Sequence, residues 1–277
     1  MRIDPGFTGI YKDDIPSTAV GGPYASIRGT GGMPGVIFSG PGSPSPSFGL
    51  GQASQNPFKW QVVGDLFTAT HSLVPTSYTF LLEIAKKAGI TPNALNSLSE
   101  LHAAVAHGVY QTTGDLTVNA AVTLGSPGSP KNFIILVNGT LYLNQYANIT
   151  VAAGSTAIFS AKKDLVVAEG LGELAASTIC NIVTHAGCTI EGFYSADHDF
   201  IAEGNNDCAS GPDKRLNVAG SVVANAGRSG GQFKNNRTLC QGNALYPSVS
   251  FTERPDFLIN YPAMLKSTTK IWQEIAP

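Results

Sequence analysis

The densest group of titratable side chains is Asp197-His198-Asp199, with Glu203 and Asp207 close behind. On a strand, Asp197 and Asp199 share parity and project to one side, with His198 opposite. Two carboxylates on one face suit general acid–base work on a glycosidic bond, or a Ca²⁺ site built from oxygen ligands. Asp197, Asp199 and Glu203 are therefore the candidate catalytic residues, and Asp197 and Asp199 the candidate calcium ligands. The same run also suits a polar turn between Tyr194 and Phe200, because a glycosidase gathers its carboxylates from several segments. A lyase would need a base beside them, for which Asp213-Lys214-Arg215 offers Lys214 and Arg215. A carbohydrate-binding surface would instead need a row of exposed aromatics, and Tyr110, Tyr142, Tyr146 and Tyr194 are the candidates. The five histidines (His71, His102, His107, His185 and His198) lack metal-ligand spacing, and no cofactor is expected.

Cys180, Cys188, Cys208 and Cys240 are the only cysteines, and no C-x-x-C pair is among them. In an oxidising compartment they form two disulfides with three possible connectivities. Pairing of sequence neighbours, Cys180–Cys188 and Cys208–Cys240, closes the smallest excursions and is the expected arrangement. Reduced core thiols are the alternative. A zinc site lacks its usual ligand spacing.

The elements that must position these residues are strands. Hydrophobic residues make up 43% of the chain but charged ones only 13%, about half the usual share. The surface must then be wetted by Ser, Thr, Asn, Gln and backbone groups, as in extracellular all-β proteins. A net charge of -2 excludes an electrostatic footprint for nucleic acid or anionic lipid. No run approaches the ~18 apolar residues of a membrane span. Met1-Arg2-Ile3-Asp4 opens no apolar leader, so an exported form is expected to begin as a mature or excised piece.

Leu116-Thr117-Val118-Asn119, Leu141-Tyr142-Leu143-Asn144 and Leu165-Val166-Val167-Ala168 recur at steps of 25 and 24, and Ile190 and Leu216-Asn217-Val218 follow at 25 and 26. A fixed period of this size reads as a repeat architecture. The expectation is an all-β fold, a right-handed β-solenoid (β-helix) of about five coils. Asn148 to Val151, Thr156 to Phe159 and Asn181 to Val183 supply further coil faces. Asn119 and Asn144 form a polar ladder at a coil corner. Asn132 to Val137 is the most apolar run and is read as a buried strand.

Four regions follow. Residues 1–57 are an irregular Gly/Pro-rich N-terminal arm or linker with apolar anchors such as Phe7, Tyr24, Ile27, Val36 and Phe48. Residues 58–108 hold a strand and a small helical cap. Phe80, Leu81, Ile84, Ala85 and Ala88 make one apolar stripe, and Leu95, Leu98, Leu101, Ala104 and Val105 a second. Ser97 and Glu100 form a capping box, and Gly89 and Gly108 end the helices. Residues 109–226 are the solenoid, and 227–277 an irregular tail packed on it. Asn-x-Thr at Asn138, Asn148 and Asn236 is read as chance in a turn-rich chain.

Several stretches carry a resemblance: Trp60-Gln61-Val62-Val63-Gly64-Asp65, Gly114-Asp115-Leu116-Thr117-Val118-Asn119, Arg254-Pro255-Asp256-Phe257-Leu258 and Trp272-Gln273-Glu274-Ile275-Ala276-Pro277. Over residues 58–277 the chain resembles the C-terminal β-solenoid region of large uncharacterised cell-surface proteins of small-genome, candidate-phyla type bacteria. The resemblance implies an extracellular or cell-surface location and carries over no catalytic residue. The expected function is structural or adhesive, with self-association into a filament or surface layer through the arm or the solenoid ends, or binding to other surface proteins. A polysaccharide-active hydrolase or lyase, or a non-catalytic carbohydrate-binding module, is the alternative.

Overall fold

The computed structural model describes residues 77–101, 106–205, 207–227 and 230–265, and the backbone of 2–3, 10–12, 24–28, 36–39 and 61–63. The short N-terminal strands are β1 (Arg2–Ile3), β2 (Ile10–Lys12), β3 (Tyr24–Arg28), β4 (Val36–Ser39) and β5 (Gln61–Val63). Helix α1 (Tyr78–Lys87) follows, then β6 (Asn93–Ala94) and β7 (Gly108–Gln111). Next come β8 (Leu116–Val118), β9 (Val122–Leu124), β10 (Asn132–Val137), β11 (Leu141–Leu143), β12 (Ile149–Val151), β13 (Thr156–Ala161) and β14 (Leu165–Val167). The last are β15 (Ile190–Ala196), β16 (Phe200–Ala202), β17 (Leu216–Val223), β18 (Phe233–Asn235), β19 (Val249–Thr252) and helix α2 (Pro255–Ile259).

All pairings between named strands are parallel. A five-stranded sheet runs β18-β16-β14-β11-β8, and an eleven-stranded one runs β2-β3-β19-β17-β15-β13-β10-β7-β6, with β9 and β12 joined to it through β15. In the smaller sheet Leu116 stands beside Leu141, Leu141 beside Leu165, Leu165 beside Phe200 and Phe200 beside Phe233. In the larger one Val122, Ile149, Ile190 and Val218 are in register. These side chains point to one shared interior, because residues two apart on a strand face the same side. Leu141, Leu143, Leu165, Val167, Ile190 and Val218 are completely buried there.

This architecture corrects the expectation of an all-β, right-handed β-solenoid with equal coils and a helical cap. Two large sheets of parallel strands curl into a half-barrel with helices laid against them, an α/β-type arrangement. Three findings account for the difference. The five anchors are not one column: Ile190 and Leu216 lie in the larger sheet, and the true neighbours of Leu165 and Phe200 come 35 and 33 residues later, at Phe200 and Phe233. Residues 181–183 form no strand; they sit in a disulfide-closed loop. Strands and a helix continue past residue 226, where an irregular tail was expected.

The helical region differs as well. Ser77 caps α1 by accepting the Phe80 N–H at 3.2 Å, and Gly89 (φ 71°) ends it. α1 does not close an end of the molecule. It lies across the sheet, where Tyr78, Leu81 and Ala85 bury against Val109, Ile134, Leu136 and Ile158. That contact explains the sequence of β10: Phe133, Ile135 and Val137 fill the interior while Ile134 and Leu136 meet the helix, so the strand is apolar on both faces. The capping box at Ser97 and Glu100 forms, but it starts only a 3-10 turn, Leu98–Glu100. Ala104 and Val105 lie outside the described residues, as do His71, His102, Trp60, Phe7, Phe48 and Trp272.

β15 and β17 each carry a glycine mid-strand at positive φ. Gly192 (φ 140°) and Gly220 (φ 132°) are paired, and a Cβ on Gly220 would collide with the Gly192 carbonyl.

Candidate functional site

Of the acidic residues that drew attention in the sequence, only Asp199 belongs to a ladder, which it forms with Asp115 and Asp164 along the N-terminal ends of the smaller sheet's strands. Each occupies the position just before an interior residue: Asp115 before Leu116, Asp164 before Leu165, Asp199 before Phe200. Each carboxylate accepts the backbone N–H of the matching position one strand further on. Asp115 Oδ1 takes Thr140 N–H at 2.8 Å, Asp164 Oδ1 takes Asp199 N–H at 2.9 Å, and Asp199 Oδ1 takes Gln232 N–H at 2.7 Å. These side chains satisfy N–H groups at the strand ends that pairing leaves open.

Asp164, His198 and Asp199 bring one ligand atom each within 4.8 Å of one another. His198 Nδ1 lies 2.8 Å from Asp164 Oδ1 and 3.5 Å from Asp199 Oδ2, and the Lys234 ammonium donates to Asp199 Oδ2. Burial acts to raise the Asp199 carboxyl. The hydrogen bonds from Lys234 and Gln232, with the charges of His198 and Lys234, more than offset it and hold it below the usual carboxylate range. The lysine already supplies the positive charge that a cation would bring, so the group is a satisfied ion cluster.

Asp197 turns away from this cluster. Its Oδ1 accepts Tyr78 N–H at 3.0 Å, at the start of α1. Burial raises its carboxyl, opposed by that hydrogen bond and by Lys162. Glu203 is exposed, and its backbone carbonyl accepts from Arg237. Asp207 closes its own turn with Ala209 N–H and Ser210 Oγ, both at 2.9 Å. Asp197, Asp199 and Glu203 thus keep separate hydrogen-bond partners. Lys214 contributes its carbonyl to Arg237, and the buried Arg215 donates to Ala176 O at 2.7 Å. The tyrosines divide: Tyr110 and Tyr194 are buried, whereas Tyr142 and Tyr146 are exposed. Gly227-Arg228-Ser229-Gly230-Gly231 matches the letters of a nucleophile elbow, but it joins β17 to β18 with no helix behind it, and Arg228 and Ser229 lie outside the described residues.

Three residues to which the sequence reading gave no charge-pairing role, Glu191, Arg237 and Arg254, are the most deeply buried charged side chains among the described residues. Glu191 is fully buried, accepts Val151 N–H at 2.8 Å and meets Arg254 Nη1 at 2.8 Å and His185 Nδ1 at 2.8 Å. Arg254 also grips Asp256 at 2.7 and 2.8 Å and lies 4.1 Å from the Phe257 ring centroid. The Arg-Pro-Asp-Phe element is therefore a staple that fixes α2 onto the sheet. Arg237, also fully buried, donates to four carbonyls, of Ala168, Leu171, Glu203 and Lys214, at 2.6–3.1 Å. Burial lowers its guanidinium to about 10, against the opposing pull of Asp213, Glu169 and Glu203. Nothing in the local sequence marks Glu191 or Arg237; only long-range packing makes them special.

Both disulfides form between sequence neighbours, Cys180–Cys188 and Cys208–Cys240, and leave no free cysteine. They fit an oxidising compartment. No helix among the described residues is long and apolar enough to cross a membrane. An apolar cleft of ≈ 390 Å³ opens beside α1, lined by Leu81, Ile158, Phe193, Leu258 and Tyr261 among others.

The remaining functional feature is a sheet edge and its cover. β3, from the N-terminal arm, lies in parallel register on β19, with Val249 beside Ala25 and Thr252 beside Arg28. β2 then pairs with β3. The arm thus extends the sheet by strand addition, through main-chain hydrogen bonds. No protein-family model matches the chain, and no curated protein matches its sequence.

Proposed function

We propose that this chain is an extracellular structural or adhesive protein of a bacterial cell surface that self-associates through its N-terminal arm. One observation carries the reading: an arm strand, β3, covers the edge of β19 by main-chain pairing. Such pairing depends little on side chains, so the β19 edge of a neighbouring copy offers the same partner. The two disulfides and the charge-poor composition support a life outside the cytoplasm, and the resemblance of residues 58–277 to bacterial surface proteins supports the location.

Light scattering coupled to size exclusion tests the reading. The intact chain is expected to elute as more than one copy. Removal of residues 1–57, or Ser26→Pro within β3, is expected to reduce it to a monomer, because proline deletes a ladder donor. Assembly that persists unchanged in both variants would reject the arm as the contact.

A further inference from the structure

The cleft of ≈ 390 Å³ lies on the outer face of the larger sheet, between α1 and α2. Its floor is a block of two strands in register: Phe193 of β15 stands beside Ser221 of β17, and Ser195 beside Val223. Leu81 of α1 forms one wall, and Leu258 and Tyr261 form the other. Leu258 is 63% exposed, so the cleft has an apolar rim as well as an apolar floor. The chain itself passes along this cleft. After α2, Asn260 O accepts the Thr156 hydroxyl at 3.1 Å, and the Tyr261 ring meets Phe193 edge-on with centroids 6.0 Å apart. A 3-10 turn, Ala263–Leu265, then packs Met264 and Leu265 against the cluster that holds Leu81. The described chain thus ends beside the cleft, with residues 266–277 still to follow.

We propose that this cleft is the seat of the chain's own C-terminal segment, anchored by Trp272. Lys266-Ser267-Thr268-Thr269-Lys270 is a polar spacer, and Ile271-Trp272-Gln273-Glu274-Ile275 brings the apolar side chains. The reach suffices. Tyr261 lines the cleft four residues before Leu265, at most about 14 Å away along an extended chain, and the six steps from Leu265 to Ile271 span up to about 20 Å. The chemistry also matches. An indole carries a large apolar surface and one N–H that needs an acceptor once buried. Phe193, Val223, Leu258 and Tyr261 supply the apolar surround, and the Ser221 hydroxyl is an acceptor on the floor. A short tether holds Trp272 at a roughly millimolar effective concentration, which favours the chain's own segment over that of a second copy. Seating gives the Trp272-to-Pro277 stretch a place in the fold. It is independent of arm-mediated self-association.

The test uses the full oxidised chain carrying Trp60→Phe, which leaves Trp272 as the only tryptophan. Its fluorescence is expected to be blue-shifted and several-fold less quenched by acrylamide than in urea. Ser221→Phe fills the floor and Leu258→Asp puts a charge on the rim. Each is expected to shift the emission to the red and raise quenching toward the value in urea, with an unchanged circular dichroism spectrum. Val183→Asp, at an exposed residue outside the cleft lining, is expected to change neither. The proposal falls if Trp272 in the Trp60→Phe chain is quenched as readily as in urea, if either cleft variant stays folded and keeps it shielded, or if Val183→Asp exposes it as much. A mixture separates the chain's own segment from that of a second copy. One partner lacks residues 266–277, the other carries Ser221→Phe, and both carry Trp60→Phe and Ser26→Pro to remove the arm contact. Trp272 is expected to stay exposed in the mixture; recovery of shielding would give the seat to a second copy and overturn the proposal.

Discussion

The early and late corners of this molecule solve the same problem in different ways. After β8 and β11 the chain turns to the larger sheet within 119–121 and 144–148. After β14, β16 and β18 it takes 168–189, 203–215 and 236–248. The short corners need little beyond main chain and asparagine: Asn144 N–H donates to Val118 O at 3.0 Å, and its carboxamide donates to that of Asn119. The long excursions expose many more backbone groups that need partners. Arg237 and the Asp213 carboxylate, which accepts Thr238 N–H at 2.7 Å and Asn205 N–H at 3.1 Å, supply them, while two disulfides cross-link the excursions covalently. Corner length thus decides whether a region holds by repetition or by particular long-range ties.

The sharpest way to break this comparison is Arg237→Met. It strips the donors from four carbonyls, and is expected to cost about 5 kcal/mol or prevent folding of the late half, read by urea denaturation. A cost under about 1 kcal/mol would mean the excursions do not depend on it. Cys208→Ser with Cys240→Ser opens a long loop and is expected to cost about 3–4 kcal/mol. Hydrogen exchange should then rise at 203–215 and 236–248 while 116–118 and 141–143 stay protected; uniform loss of protection would show the two regions to be one cooperative unit. Leu141→Ala, in the interior of the early half, is expected to cost about 3 kcal/mol.

Acid sharpens the contrast at the Asp ladder. The Asp199 and Asp256 carboxyls sit below their ordinary value when folded. Their contribution is complete above the unfolded carboxyl range near 4 and is lost as pH falls through the lower folded values. Asp197, raised by burial, runs the other way and is relieved by protonation. Asp199→Asn is therefore expected to lower the melting temperature at pH 7 and to flatten its fall below pH of about 4; an unchanged acid limb would remove Asp199 from the account. Asn144→Ala, at a short corner, should cost less than about 1 kcal/mol, because the main-chain bonds remain.

Local patterning made much of this readable. The 24- and 25-residue steps between Leu116, Leu141 and Leu165 match true neighbours, and Ser77-to-Ala88 carries its helix stripe and Gly89 stop in the chain itself. Those features depend on residues close in sequence or on short, equal connections. The step after Leu165 misled because a loop of different length does not alter the strand pattern on either side of it; it only changes which strands meet.

The amino-acid sequence by itself determined most strand segments, the α1 stripe and the asparagine ladder, since each rests on short-range spacing; it favoured the observed cysteine pairs but left three connectivities open. Only the tertiary structure decided that α1 covers a sheet face, that Asp197 and Asp199 part company, and that Glu191, Arg237 and Arg254 are buried. A charged residue becomes a structural tie only when distant segments close around it and remove its water, and no local pattern encodes that burial.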